Sequence, residues 1–316
     1  MHHAEPLDLQ LNGYRGLDFA DEAIDAERLA ACCAAYRADG GGRFLATLIT
    51  DDLAVMERRV AALAAAIDAD PRVGATVAGI HVEGPFISGE RGFVGAHPAS
   101  HARDATVADA LRLVDAGRGH VRMLTLAPER DRGCATIGAL AARGVLVAAG
   151  HCDPSRACLA EACAAGLSCF THLGNGCPHL LPRHDNVIQR VLACDELPFV
   201  TLVADGVHLP PFLLRSMLRL LGPDRAIVVS DATAAAGMGR GTFRLGGTTV
   251  TVGADGAAWS EDRTHLMGST ATVPVLRRVL GAGDPEGAGL DAEAVERLLA
   301  VNPRRALLAA AHGRRA

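Results

Sequence analysis

Three side chains suited to metal binding each stand at the end of a short apolar run. His151 ends the run that begins at Val145, His172 ends the run from Cys169, and Glu83 ends a run just before Gly84 and Pro85. We interpret each run as a buried parallel strand that delivers its last side chain to its carboxyl end. Two imidazoles and one carboxylate at strand ends predict a catalytic metal site with an open coordination position.

Each of these residues taken alone also fits a packed core residue, because buried histidines are often only hydrogen-bonded. Three such residues, each after its own strand, favour a shared site. Two nitrogens and one oxygen suit zinc but also iron, cobalt or manganese. The expected cofactor is therefore one divalent ion, Zn²⁺ first, with Fe²⁺, Co²⁺ and Mn²⁺ as alternatives.

The composition sets the class of protein. With 316 residues and 49% hydrophobic content, the chain can bury one large core as a single domain. The net charge is −5 and the arginines are scattered, which predicts a small polar substrate and no nucleic-acid partner. The sequence contains no apolar run of membrane length and no signal-peptide pattern, so we expect no membrane partner and a cytoplasmic location.

The cysteine and lysine content excludes several kinds of catalytic chemistry. The nine cysteines include no CxxC pair, which favours reduced packing thiols. All 31 basic residues are arginines. The absence of lysine excludes Schiff-base chemistry, a Walker phosphate loop and a carbamylated-lysine metal bridge.

The pattern of the chain alternates strands with helices. The predicted strands are 7–13, 43–50, 77–83, 121–127, 145–151, 169–172, 199–204 and 226–231, and the clearest predicted helices are 21–37, 53–68, 154–166, 292–300 and 303–311. Eight strands with intervening helices predict a (β/α)₈ barrel over residues 1–316 whose active site lies at the carboxyl ends of the strands.

Two segments depart from this alternation. The glycine-rich loop from Gly84 to Pro98 is too long for a plain turn, which is typical of a binding loop. Residues 237–262 read as a hairpin-like excursion from the barrel, with Gly246 and Gly247 between its two strands.

An ordered series of motifs carries a family resemblance. The series comprises Asp8 to Gly13, Thr47 to Thr50, His81 to Phe86, Gly95 to Pro98, Leu126 to Glu129, Gly150-His151, Thr171 to Asn175, Ala204 to His208, Ser230 to Ala232 and Gly268 to Thr270. Over nearly all of its length the chain resembles the N-acetylglucosamine-6-phosphate deacetylase family of the amidohydrolase superfamily.

The resemblance implies a role for each matching residue. Glu83, His151 and His172 would hold the metal, Asp231 would be the acid-base residue, and His97 would donate to the developing oxyanion. One metal is expected, because Gln10 and Asn12 stand where two-metal relatives carry His-x-His. The implied substrate-binding residues are Gln10, Ala96, His97, Asn175, Gly176, Arg183, His208, Leu266, Met267 and Gly268, with Arg183 and His208 as the phosphate partners.

Two departures from the family pattern matter. The small β-domain that family members build from their two chain ends is expected to be absent. Gly176 and Cys177 replace the usual Ala-Met, a change in the substrate wall.

The expected reaction is hydrolysis of the acetamide of N-acetylglucosamine 6-phosphate, a phosphorylated amino sugar. The alternatives are another N-acyl amino sugar such as N-acetylgalactosamine 6-phosphate, a non-phosphorylated amide, or a catalytically silent sugar-binding barrel. A homodimer is one option for the assembly.

Overall fold

Eight parallel strands form the centre of the protein. We describe it from a computed structural model that covers residues 4–245, 248–260 and 266–313. The strands are β1 (Leu7–Leu11), β2 (Arg43–Ile49), β3 (Val77–Glu83), β4 (Val121–Leu126), β5 (Leu146–Ala149), β6 (Cys169–Phe170), β7 (Phe199–Val203) and β8 (Ala226–Val229). Each strand pairs in parallel with the next one along the chain.

The sheet closes on itself just beyond the ends of β8 and β1. The amide of Asp231 donates to the carbonyl of Gln10 at 3.0 Å, and the amide of Asn12 donates to the carbonyl of Ala232 at 2.7 Å. Lower down, the Asp8 carboxylate accepts from the Ser230 amide at 3.2 Å, so that a side chain completes the seam. The predicted (β/α)₈ barrel is confirmed.

Helices surround the barrel. They are α1 (Ala26–Ala38), α2 (Leu53–Ala69), α3 (Pro71–Thr76), α4 (Val107–Ala116), α5 (Ala135–Ala142), α6 (Arg156–Ala165), α7 (Val187–Leu192), α8 (Pro211–Leu221), α9 (Val273–Leu280), α10 (Ala292–Glu296) and α11 (Asn302–Ala311). None of the helices in the described part of the chain is long and apolar enough to cross a bilayer.

Apolar side chains fill the amino-terminal half of the barrel interior. Side chains at alternate strand positions, among them Leu45, Met123 and Ile227, form an inner core with Ala306 and Leu307 of α11. Burying one such side chain stabilises the fold by roughly 1.5–3 kcal/mol. The last helix thus plugs the amino-terminal end of the barrel, and the carboxyl end is left for polar side chains.

Helix boundaries differ most from the sequence prediction at two places. The first helix starts at Ala26 rather than Asp21, because the Asp25 side chain accepts from the Arg28 amide as an N-cap. The two predicted C-terminal helices are joined through a wider π-helical turn at Arg297–Val301.

The excursion after β8 is a small antiparallel sheet. Gly241–Leu245 pairs with Thr248–Val252, and a third strand that the sequence analysis did not predict, Ala258–Trp259, pairs with the second. The expected turn at Gly246 and Gly247 lies outside the described residues.

Candidate metal centre and active site

A single buried carboxylate stands at the centre of the site. Glu83, the last residue of β3, is 2% exposed. Its Oε1 lies 2.9 Å from Nε2 of His172 and 3.4 Å from Nε2 of His151. Its Oε2 lies 3.8 Å from Nε2 of His97. Ligand atoms of Glu83, His97 and His151 lie within 4.8 Å of one another, a group that could hold a metal ion.

Left-handed backbone turns direct three of the site residues. His151, His172 and Asp231 have φ angles of 52°, 33° and 49°. These values are uncommon for residues with a Cβ atom and cluster at functional sites. The turns come just after β5, β6 and β8, which explains why these strands end two residues before the predicted positions.

Close packing requires glycine immediately before His151. A Cβ atom at Gly150 would lie 2.3 Å from Cγ2 of Thr171 and 2.9 Å from Cγ2 of Thr125. Glycine therefore lets three neighbouring strands approach one another directly beneath the site.

Gln10 supports the central carboxylate. Its Nε2 donates to Oε1 and Oε2 of Glu83 at 3.0 and 3.1 Å, and its Oε1 accepts from the Thr171 hydroxyl at 2.8 Å. Both ends of the amide are thus occupied by protein, and Gln10 is 1% exposed. The structure gives this residue, which the sequence predicted as a substrate contact, a role in orienting Glu83.

The imidazole of His151 is fixed from both sides. Its Nδ1 donates to the carbonyl oxygen of Phe93 at 2.8 Å, which leaves the Nε2 lone pair facing Glu83. Cβ atoms at Gly95 and Gly176 would lie 3.2 Å from Cε1 and 2.9 Å from Nδ1 of this ring. The loops after β3 and β6 therefore form a slot around His151.

His172 supplies the observation that a cation fits here. Its backbone amide donates to the Thr201 hydroxyl oxygen at 2.7 Å. Its Nε2 faces Glu83, whereas its buried Nδ1 has no hydrogen-bond partner among the described residues. A divalent ion accounts for several imidazoles directed at one buried anion, because metal ligation needs unprotonated histidines and an ionised carboxylate.

The pKa values around Glu83 shift in different directions. Burial raises the pKa of Glu83, but the imidazoles of His151 and His172 outweigh it and hold the pKa well below its usual range. Burial lowers the pKa of His172, but Glu83 raises it more, and the net shift is upward. Burial, with His151 close by, lowers the pKa of His97 to about 3. The carboxylate is therefore ionised and the His97 ring neutral near neutral pH.

Asp231 lies beside this group on the seam of the barrel. Its Oδ1 accepts from Nδ2 of Asn12 at 2.8 Å. Burial raises the pKa of its carboxyl group, and His172 opposes that rise. The segment from Leu266 to Gly268 leads directly to Ser269, whose amide donates to the Asp231 carbonyl at 2.8 Å.

The other predicted substrate residues surround the opening. Ala96, Asn175 and Gly176 are half-buried in the loops after β3 and β6, and Leu266, Met267 and Gly268 are half-buried beside Asp231. Nδ2 of Asn175 is buried without a hydrogen-bond partner among the described residues. It is a donor available to a ligand.

The two predicted phosphate partners differ in how firmly they are held. Nδ1 of His208 lies 2.6 Å from Oδ2 of Asp205, which holds the ring in place. Burial lowers the pKa of His208, but Asp205 raises it more, and the net shift is upward. Arg183 is exposed, and its guanidinium pairs with none of the described residues.

Four residues that support the site were not predicted from the sequence to belong to it. They are Asn12, Thr50, Thr171 and Asp205, each of which contacts a functional side chain. All four lie inside the motifs on which the family resemblance rests, and this position could have identified them as site residues.

The barrel, with a buried carboxylate and imidazoles that could hold a metal ion at its mouth, defines an amidohydrolase-type (β/α)₈ protein. No family model matches the chain. The human N-acetylglucosamine-6-phosphate deacetylase is 36% identical over 284 residues, which is 86% of this chain and 67% of the human protein. An N-acetylgalactosamine-6-phosphate deacetylase from Shewanella sp. (strain ANA-3) is 33% identical over 239 residues, 76% of this chain and 58% of that protein.

Solved structures agree with the sequence relatives. A mutant N-acetyl-D-glucosamine-6-phosphate deacetylase from Mycobacterium smegmatis, in complex with N-acetyl-D-glucosamine-6-phosphate, superposes with a TM-score of 0.85 at 32% identity. The match covers 96% of this chain and 77% of that one. The chain belongs to the N-acetylglucosamine-6-phosphate deacetylase family, and it spans about two thirds of the length of the human relative.

Proposed function

We propose that this protein is a metal-dependent deacetylase that hydrolyses the acetamide of N-acetylglucosamine 6-phosphate to glucosamine 6-phosphate and acetate. The observation that carries the proposal is the meeting of Glu83 with three imidazoles at the barrel mouth, in a chain of this family. A sugar-binding barrel without catalysis has no need of such a buried group beside Asp231.

Glu83, His151 and His172 would hold one divalent ion, for which zinc is the first candidate and iron, cobalt and manganese are the alternatives. Such an ion polarises an amide carbonyl and makes a water molecule more acidic. The amide groups of Gln10 and Asn12 already point hydrogens at Glu83 and Asp231. A second cation would have to displace these donors, which supports one metal rather than two.

Asp231 is the proposed general base and then general acid. Asn12 occupies its Oδ1, so Oδ2 is the oxygen free to take a proton from the attacking water. The same oxygen then gives that proton to the departing amine nitrogen as the carbon–nitrogen bond breaks. Burial raises the pKa of this carboxyl group, which makes it a better proton acceptor than an exposed aspartate.

His97 is the proposed donor to the carbonyl oxygen. Its ring is neutral and its Nε2 faces the Glu83 group from the long loop after β3. A fixed donor at the oxygen where negative charge develops stabilises the transition state more than the substrate.

The sugar would be bound by the loops around the mouth. The unpaired amide of Asn175 and the half-buried segments at Ala96, Gly176 and Leu266 to Gly268 supply hydrogen-bonding and wall contacts. His208 and Arg183 are the proposed phosphate partners, since an imidazole whose pKa is raised by Asp205 and a guanidinium unpaired among the described residues both suit a phosphate anion.

The second candidate substrate is N-acetylgalactosamine 6-phosphate. The Shewanella relative, which carries that name, matches three quarters of this chain at 33% identity. Gly176 and Cys177, where the family usually has Ala-Met, alter the wall that would meet the sugar.

A substrate panel tests the proposal. Zinc-loaded protein should release acetate from N-acetylglucosamine 6-phosphate faster than from its galactosamine epimer, and much faster than from either sugar without phosphate. Faster turnover of the epimer would move the assignment to the second candidate. Zinc binding without acetate release from any of the four compounds would overturn the enzymatic proposal.

A further inference from the structure

Two neighbouring imidazoles of the site have opposite kinds of backbone partner. Nδ1 of His151 faces a carbonyl oxygen, that of Phe93, at 2.8 Å. Nδ1 of His97 faces the backbone amide of Thr50 at 3.3 Å and the Thr50 hydroxyl at 2.8 Å. The two ring centroids are 4.2 Å apart.

The amide of Thr50 decides which nitrogen of His97 carries the proton. A backbone N–H can only donate, so a proton on Nδ1 of His97 would face another hydrogen. Nδ1 is therefore the acceptor, the Thr50 hydroxyl adds a second donor, and the proton of the neutral ring lies on Nε2. In His151 the carbonyl partner produces the reverse arrangement, with the Nε2 lone pair free.

Thr50 is built into this position. It is 2% exposed and follows directly after β2. A Cβ atom at residue 84 would lie 2.1 Å from the Thr50 hydroxyl oxygen, and Gly84 has a φ of 85°. Glycine at 84 is what leaves room for the hydroxyl to reach His97.

We propose that Thr50 is a positioning residue that fixes His97 in its Nε2–H tautomer, the form that the donor role of His97 in the proposed reaction requires. Ligand atoms of Glu83, His97 and His151 lie close enough together to form a metal-binding group. In the Nε2–H tautomer, however, Nε2 of His97 has no free lone pair and cannot bind the ion. The catalytic consequence rests on the proposed deacetylase function, whereas the tautomer does not.

Nitrogen-15 NMR of histidine-labelled protein tests the tautomer directly. In the metal-free protein, His97 should show a protonated Nε2 and an unprotonated Nδ1. Addition of equimolar Zn²⁺ should shift Nε2 of His151 and leave the Nε2 proton of His97 in place. Loss of that proton on zinc binding, or a protonated Nδ1 before it, would overturn the proposal.

Kinetics of two Thr50 variants test the positioning role. Thr50→Val keeps the shape and the backbone amide but removes the hydroxyl, which at 2.8 Å is the closer of the two donors to Nδ1 of His97. The His97 ring should then be held less firmly, and kcat should fall about tenfold with zinc content and KM near wild type. Thr50→Ser should restore most of kcat. Thr136→Val is the matched control, since the buried Thr136 hydroxyl has no partner among the described residues.

The outcomes distinguish a failure of the positioning role of Thr50 from a failure of the proposed deacetylase function. A Thr50→Val protein with wild-type kcat, or one whose loss of activity follows a loss of zinc, contradicts the positioning role. Wild-type protein that deacetylates none of the sugars contradicts the proposed function, while the NMR result still decides the tautomer.

Discussion

The amide nitrogen of Gln10, on β1, donates to both carboxylate oxygens of Glu83 at 3.0 and 3.1 Å. This contact fixes the plane of the only carboxylate in the proposed ligand set. Partners of this kind that orient a ligand typically change metal affinity by about 10- to 100-fold when they are removed.

Gln10→Leu should therefore weaken zinc binding by roughly 10- to 100-fold. The leucine keeps the volume but leaves Glu83 free to rotate and the Thr171 hydroxyl without its acceptor. Competition with a chromogenic zinc chelator measures the effect. If zinc affinity is unchanged while KM for the sugar rises, Gln10 is a substrate contact, as the sequence predicted.

His151→Ala should lose both the metal and the activity. Two remaining ligands, Glu83 and His172, cannot retain a catalytic ion at ordinary affinity. Atomic absorption on dialysed protein gives the metal content, and circular dichroism serves as the control for folding. A folded variant that keeps its metal and turns over substrate would remove His151 from the ligand set.

Asp231→Asn should abolish turnover and leave the metal content near that of the wild type. The asparagine can still accept from Nδ2 of Asn12 through its Oδ1, so the site keeps its shape but loses its proton carrier. The measurement is acetate release alongside metal analysis of the same sample. Absence of the metal from this variant would make Asp231 a ligand instead.

Arg183→Ala should raise KM for phosphorylated substrate by roughly ten- to a hundredfold, the value of charge-assisted hydrogen bonds of about 1.5–3 kcal/mol. Its guanidinium is exposed and unpaired with the described residues, so the substitution removes no internal contact. Steady-state kinetics with and without the 6-phosphate make the comparison. An equal loss for both sugars would mean that Arg183 supports its loop.

Asp8 should make the stability of the protein depend on pH. Burial raises its pKa from 3.8 to about 6, although hydrogen bonds from Ser230 and Gln10 oppose the rise. Between those values the folded state binds a proton that the unfolded state has released. Stability therefore falls as pH rises through this window, by about 3 kcal/mol.

Asp8→Asn removes this titration and can still accept hydrogen bonds at the seam of the barrel. Urea unfolding of both proteins at fixed zinc, from about pH 4 to about pH 7, gives the difference in their free energies of unfolding. That difference should shift in favour of the variant up to about pH 6 and then level off. A constant difference across the range would show that Asp8 titrates normally.

The sequence by itself determined the barrel and the order of its strands. Apolar runs alternate with amphipathic helices, and this local pattern predicts eight strands whose carboxyl ends share one opening. Because Glu83, His151 and His172 each follow such a run, their meeting was predictable without coordinates. The third strand of the small sheet, Ala258–Trp259, is two residues long and gave no such pattern.

Only the tertiary structure decided which atoms face one another. The left-handed turns at His151, His172 and Asp231 change the direction of these side chains after the strands end. Histidine and aspartate do not by themselves predict such turns. The contact of Gln10 with Glu83 joins residues 73 positions apart in the sequence. The proton of His97 depends on whether a carbonyl or an amide reaches Nδ1, which is set by how the loop after β3 packs against Thr50. A sequence specifies which donors and acceptors exist, but the direction of each hydrogen bond is fixed only when the packed backbone brings its partner to it.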